Sequence, residues 1–115
     1  MGNWKEITDI QSLKNAVNQS SENHLKGVLL FKHSTRCPIS AMAKMRMEND
    51  WDFPEDVPSY LIKVVEHRDV SNQVQELTGV KHESPQLILL KNGQPVYNAS
   101  HGAILVNQLK KELNK

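Results

Sequence analysis

The chain has 115 residues, enough for one domain and too few for two, so 1–115 reads as a single domain. Fourteen lysines and arginines against thirteen aspartates and glutamates leave a net charge of +1, which gives no basic field for nucleic acid or an anionic membrane. One cysteine excludes an internal disulfide and any multi-cysteine zinc or iron–sulfur site within a single chain.

The apolar runs reach about four residues, too short to span a membrane, and Met1–Glu6 holds no apolar leader. A cytoplasmic protein is expected. Hydrophobic residues are 38% of the chain and gather into runs, as a folded chain requires.

Trp4 to Ile7 reads as a first strand, and Thr8 with Gln11 as a capping box for a helix carrying Ile10, Leu13 and Val17 on one face. After a polar loop, Val28-Leu29-Leu30-Phe31 is a continuous apolar run of strand length, the pattern of a strand buried on both faces. His33-Ser34-Thr35-Arg36 reads as a polar turn. Pro38 suits the first position of the next helix, where an absent N–H is no loss. That helix is expected to run to about Glu48, with Ile39, Ala43 and Met47, flanked by Met42 and Met45, as its apolar face.

Asn49 to Ser59, with two prolines and acidic residues, is a loop; Tyr60 to Val65 is another buried strand. Asp69 or Ser71 is expected to cap the following helix, whose inner face is Val70, Val74 and Leu77, and Gly79 to end it. Ser84-Pro85 opens the strand Gln86 to Leu90, and Asn92-Gly93 signals a hairpin to an antiparallel strand, Gln94 to Ala99. Leu105, Leu109 and Leu113 form the stripe of a last helix. The order is βαβαβαββα, an α/β fold with parallel pairing through crossovers and an antiparallel edge.

This places Cys37 at the carboxyl end of a central strand and at the N-cap of a helix, where ligands of open α/β sheets bind. Unpaired amides and the dipole at a helix start favour thiolate over thiol, and Arg36 adjoins it. The thiolate is the nucleophile of disulfide exchange. Ser40 stands where a second cysteine would resolve a mixed disulfide, so an external thiol must do so. Its hydroxyl is placed to donate to the thiolate.

Cys37-Pro38-Ile39-Ser40 after an apolar strand, with His82-Glu83-Ser84-Pro85-Gln86 before the hairpin, resembles the monothiol bacilliredoxins (YtxJ type) of the thioredoxin superfamily. The similarity runs from Trp4 to the last helix. It implies a thioredoxin-like fold and a monothiol oxidoreductase that removes bacillithiol from S-bacillithiolated proteins. Cys37 takes over the small thiol, and a second bacillithiol releases it as bacillithiol disulfide. Bacillithiol is then a co-substrate, no cofactor is bound, and a separate bacillithiol disulfide reductase returns electrons from NADPH. The resemblance also implies that Pro85 is a cis-proline beside Cys37 and that Ser84 offers backbone groups to substrate. Arg36 stands where a small or hydroxyl residue is expected. A monomer without metal is expected.

Two other classes compete. A non-enzymatic adaptor of the same fold would carry an inert cysteine, which the alkylation rate of Cys37 distinguishes. An iron–sulfur carrier bridging two chains, as in monothiol glutaredoxins, uses C-G-F-S, whereas Pro38 here removes a backbone donor. A colourless purified protein would count against it. His33 and Cys37 as a zinc pair, a Met42–Met45–Met47 copper site, and catalytic roles for His82 or His101 are each weaker than a core or loop reading.

Overall fold

Two strands, 28–33 and 86–91, are buried on both faces and set the layers of this molecule. The structure is a computed structural model describing residues 4–115. Its elements are β1 (Lys5–Glu6), α1 (Ile10–Gln19), β2 (Val28–His33), α2 (Pro38–Asp50), β3 (Ser59–Lys63), α3 (Arg68–Thr78), β4 (Gln86–Lys91), β5 (Gln94–Ser100), a 3₁₀ turn (His101–Ala103) and α4 (Val106–Leu113). The order of strands across the sheet is β1-β3-β2-β4-β5. The β1–β3 and β2–β3 pairs are parallel, and β2–β4 and β4–β5 are antiparallel.

β2 is the centre. Val28 and Leu30 face one way, with Ile88 and Leu90 of β4, against Leu13 of α1 and Val70 and Val74 of α3. Leu29 and Phe31 face the other way, with Leu87 and Leu89, against Ala43 and Met47 of α2 and Leu109 of α4. The strand reads as an unbroken apolar run because helices cover both faces. Each such side chain contributes roughly 1.5–3 kcal/mol on full burial, so β2 is firmly held.

Several expected details differ. The cap of α1 is Asp9 rather than Thr8: its carboxylate accepts from the Ser12 amide at 2.7 Å. That bond holds Asp9 below the usual carboxylate range. β1 is shorter than Trp4–Ile7, although the Ile7 amide still bonds Leu61 of β3 at 3.0 Å. Trp4 instead stacks on Phe31, ring centres 5.3 Å apart. The N-cap of α3 is His67, so neither Asp69 nor Ser71 caps it; Asp69 lies in the first turn and Ser71 is buried. Gly79 does end α3, with a φ of 76° that disfavours a side chain. Asn92 and Gly93, at φ 54° and 75°, make the expected hairpin turn between β4 and β5.

The inner faces of α2 and α4 are also phased differently. In α2 the buried residues are Ser40, Ala43 and Met47, while Ile39 is 57% exposed and Met42 and Met45 point to solvent. Apolar residues lie all round this helix, so their pattern cannot choose the inner face. In α4, Val106 and Leu109 are buried and Leu105 is the half-exposed N-cap. Among the described residues, no helix is long and apolar enough to cross a membrane.

Candidate active site

The end of β2 leads directly into the site. Its last residue, His33, is followed by a turn closed by the Cys37 amide donating to the Ser34 carbonyl at 3.2 Å. Cys37 is then the N-cap of α2, with extended φ and ψ of −108° and 118°, and its carbonyl accepts the first helical bond from Ala41. Pro38 occupies the first helical position. An N-cap side chain is reached by the amides of the second and third helical residues, here Ile39 and Ser40. The Cys37 sulfur makes no such cap hydrogen bond in this structure, so the start of α2 acts on it through the helix dipole. Cys37 is a free, partly exposed thiol. A small disulfide can reach it.

Arg36 and Pro38 flank the cysteine and are exposed. Thr35, beside Arg36, donates to the Glu66 carboxylate at 3.0 Å, tying this turn to the segment after β3.

Ser40 points inward and is fully buried. Its Oγ accepts from the Ser34 amide at 3.0 Å and lies 2.7 Å from His33 Nδ1. The thiol is not among its hydrogen-bond partners, so the expected donation to Cys37 is not made in this state. His33 is itself buried, at 7% exposure, and stacked along Phe31 with ring centres 6.2 Å apart. Burial, then Lys44, holds its imidazole below the ordinary histidine range. A polar-turn reading missed this residue. The signal was available: continuing the alternation of β2 puts His33 on the face of Phe31.

The second half of the site comes from the strand opposite. Lys32 of β2 pairs with Gln86 of β4, so Ser84 and Pro85, just before Gln86, lie at the same end of the sheet as the turn into Cys37. The Ser84–Pro85 peptide is cis. Pro85 is buried and its carbonyl accepts from the His101 amide at 3.1 Å. Ser84 Oγ is buried without a hydrogen-bond partner.

The loop preceding them is tied down at several points. Gln86 donates to the Lys81 carbonyl at 3.0 Å, and the His82 amide donates to the Gln75 side chain at 2.9 Å. Lys32 Nζ, wholly buried, lies 2.9 Å from His82 Nδ1. Burial pushes Lys32 down to about 8. Nothing in the sequence reading singled out Lys32. His101 is an exposed residue 4.0 Å from Glu83, a loop contact. Among the described residues, no group of three or more histidine, cysteine or acidic side chains is placed to hold a metal ion.

Comparison with known proteins places this geometry. The model of the monothiol bacilliredoxin family (BrxC) matches residues 5–109. Among solved structures, a protein designated an oxidoreductase with a thioredoxin fold shares 33% identity, covering 94% of this chain and 91% of that one with a TM-score of 0.79. The thioredoxin Mala s 13 of Malassezia sympodialis is 19% identical over 99% of this chain and 90% of that one, with a TM-score of 0.72. A thioredoxin of Trypanosoma brucei brucei is 11% identical over 97% and 88%, with a TM-score of 0.74. The last two speak to the fold alone. The architecture is a thioredoxin fold, as the resemblance to the family implies.

Proposed function

The chain belongs to the monothiol bacilliredoxin family, whose fold and chemistry are those of thiol redox proteins, and from that premise we propose that it removes bacillithiol from S-bacillithiolated proteins through Cys37. The observation that carries the reading is a lone, partly exposed thiol at the N-cap of α2 in the setting Cys37-Pro38-Ile39-Ser40.

The Cys37 thiolate attacks the bacillithiol sulfur of the modified client. The client's S–S bond breaks, its cysteine leaves as thiolate and takes up a proton, and a Cys37–bacillithiol disulfide forms. Ser40 has no sulfur with which to displace the adduct. A second bacillithiol thiolate therefore attacks it, freeing Cys37 and releasing bacillithiol disulfide. Each exchange consumes one disulfide and forms another, so the net electrons come from bacillithiol and, through a separate reductase, from NADPH. The positive end of the α2 dipole favours the anionic sulfur, and exposed Arg36 supplies a cation near bacillithiol's malate carboxylates. The segment Ser84–Pro85 offers backbone groups to the substrate. No bound cofactor is required, and the protein acts as a cytoplasmic monomer.

Intact mass spectrometry tests this. Mixed with a bacillithiolated protein, the wild type should gain one bacillithiol and hold it until free bacillithiol is added. Cys37→Ser should lose transfer altogether while keeping its fold. Ser40→Cys should clear the adduct unaided by forming an internal disulfide. Transfer by Cys37→Ser, or an adduct on the wild type that clears without added thiol, contradicts the proposal.

A further inference from the structure

The outward faces of the four helices differ. The exposed residues of α1, α3 and α4 are all polar or charged, as on an ordinary surface helix. The first turns of α2 instead expose Pro38, Ile39, Ala41, Met42 and Met45. Met42 and Met45 are 61% and 62% exposed, while Met47 on the inner face is wholly buried. A helix with apolar residues all round is ordinarily covered on every side, so this face calls for a partner.

The face is continuous with the reacting thiol. Cys37 is the N-cap of α2 and Pro38 its first residue. Side chains on a helix lean toward its N-terminus, which carries Met42 and Met45 toward the Cys37 end. Met42, Met45, Arg46 and Asn49 line an open cavity of about 190 Å³. The charge of Arg46 is engaged elsewhere, donating to the His101 carbonyl at 3.2 Å and the Ile104 carbonyl at 3.4 Å. What the face offers is apolar contact, and methionine, unbranched and polarisable, adapts to partners of different shape.

Size decides the kind of partner. The eight residues 38–45 span about 12 Å of a helix about 10 Å wide, far less than the roughly 800 Å² that each side of a stable complex buries. A second copy of the chain would not stay on it. Contacts this small belong to transient redox encounters, in which the reacting disulfide brings the partner in. We infer that the outward face of α2 docks an apolar stretch of the client beside its modified cysteine, so that Cys37 prefers disulfides set among apolar residues. The inference rests on Cys37 being the reacting thiol, as proposed above, but not on which small thiol it exchanges.

Two short peptides test it, alike except that leucines flank the cysteine in one and serines in the other. Each carries 2-mercaptoethanol as a mixed disulfide. The full-length protein should consume the leucine peptide about fivefold faster, the effect of covering part of a leucine side chain. In the double variant Met42→Gln/Met45→Gln, which keeps good helix formers at exposed positions, the preference should fall below about twofold. Its reaction with hydroxyethyl disulfide should stay within about twofold of the wild type, because surface substitutions disturb the fold little. Equal rates for the two peptides with the wild type overturn the inference, as does a preference that survives in the variant or a loss as large with hydroxyethyl disulfide. The second measurement is methyl NMR of the methionines with either peptide joined to Cys37 as a disulfide, which persists because the chain has no second cysteine. The leucine peptide should shift the Met42 and Met45 methyls more than the serine peptide does, and leave Met47 in place. Equal shifts overturn the inference, and this result decides the matter if the double variant does not fold. A dimer in sedimentation that the double variant dissolves would give the face to a second copy and overturn it too. Failure of bacillithiol transfer with the peptide preference intact would count against the proposed substrate, not against the docking face.

Discussion

Lys32 and His33 are neighbours on β2, and they point to opposite faces of the sheet. Both are buried polar groups, yet their surroundings differ in kind. His33 meets Ser40, which also receives the Ser34 amide, so a neutral ring and a hydroxyl satisfy each other at 2.7 Å. Lys32 meets His82 Nδ1 at 2.9 Å, and among the described residues none of the ion pairs includes it. An ammonium has only donors, so His82 must accept with a neutral ring. One pair is neutral and complete; the other leaves a cation out of water without a carboxylate. Each ties a different half of the site to the central strand β2. His33 fixes the start of α2, and Lys32 fixes the loop before Ser84–Pro85. The neutral pair stabilises the site at little cost, whereas the cationic one holds it at the expense of stability.

The contrast predicts opposite responses to making each pair apolar. Ser40→Val removes a hydroxyl that serves two buried groups and leaves both the Ser34 amide and His33 Nδ1 unpaired. Each orphaned group costs about 1–3 kcal/mol, so a loss of about 3 kcal/mol is expected in urea unfolding. A loss below about 1 kcal/mol would mean that water replaces Ser40 and that the pair does not organise the helix start.

Lys32→Met should do the reverse. Burial lowers the Lys32 pKa from the ordinary lysine value of 10.5 to about 8. A group depressed in this way binds fewer protons in the folded state, so its penalty is absent above pH 10.5. The penalty grows as pH falls from 10.5 to 8 and is complete below 8. At about 1.4 kcal/mol per unit, and allowing for partial screening, the penalty at pH 7 is about 2 kcal/mol. Lys32→Met should be more stable than the wild type by roughly that amount at pH 7, and the difference should vanish by pH 10.5. A variant less stable than wild type at pH 7 would show that the ammonium supports the fold. His82 is partly exposed and can hydrate once its partner is gone.

The sequence made much of this legible, and the gaps have physical causes. Strand positions on β2, β3 and β4 were readable because both faces are buried, leaving long apolar runs with no competing pattern. Gly79 and Asn92-Gly93 were readable because a backbone with φ near +50° to +80° admits few residues. The phase of α2 was not. Ile39, Met42 and Met45 are as apolar as Ala43 and Met47, and the inward face is marked instead by Ser40, whose Oγ accepts from the Ser34 amide and pairs with His33 Nδ1. Tertiary bonds between polar residues leave no periodic trace. Lys32 was invisible for a related reason. A lysine at a strand end usually reaches solvent, and here its Nζ instead meets His82 of the loop before β4 inside the fold.

A third cation completes the comparison and carries the smallest expected effect. Arg36, one residue before Cys37, is exposed, whereas Lys32 is sealed inside the sheet. Charge at an exposed position acts through water and mobile ions, so its influence on a thiolate or an incoming anion is modest. Arg36→Ala should leave stability within about 0.5 kcal/mol, as for most surface substitutions. Its effect should appear in the reaction with bacillithiol disulfide, whose malate groups are anionic, as a rate loss of about two- to threefold at 0.1 M salt. A neutral disulfide of similar size should lose less. The Debye length falls from about 10 Å at 0.1 M to about 3 Å at 1 M salt, so the difference between the two disulfides should close at the higher concentration. A loss that is equal for both disulfides, or that persists at 1 M salt, would show that Arg36 acts on the geometry of the Ser34–Cys37 turn rather than through its charge.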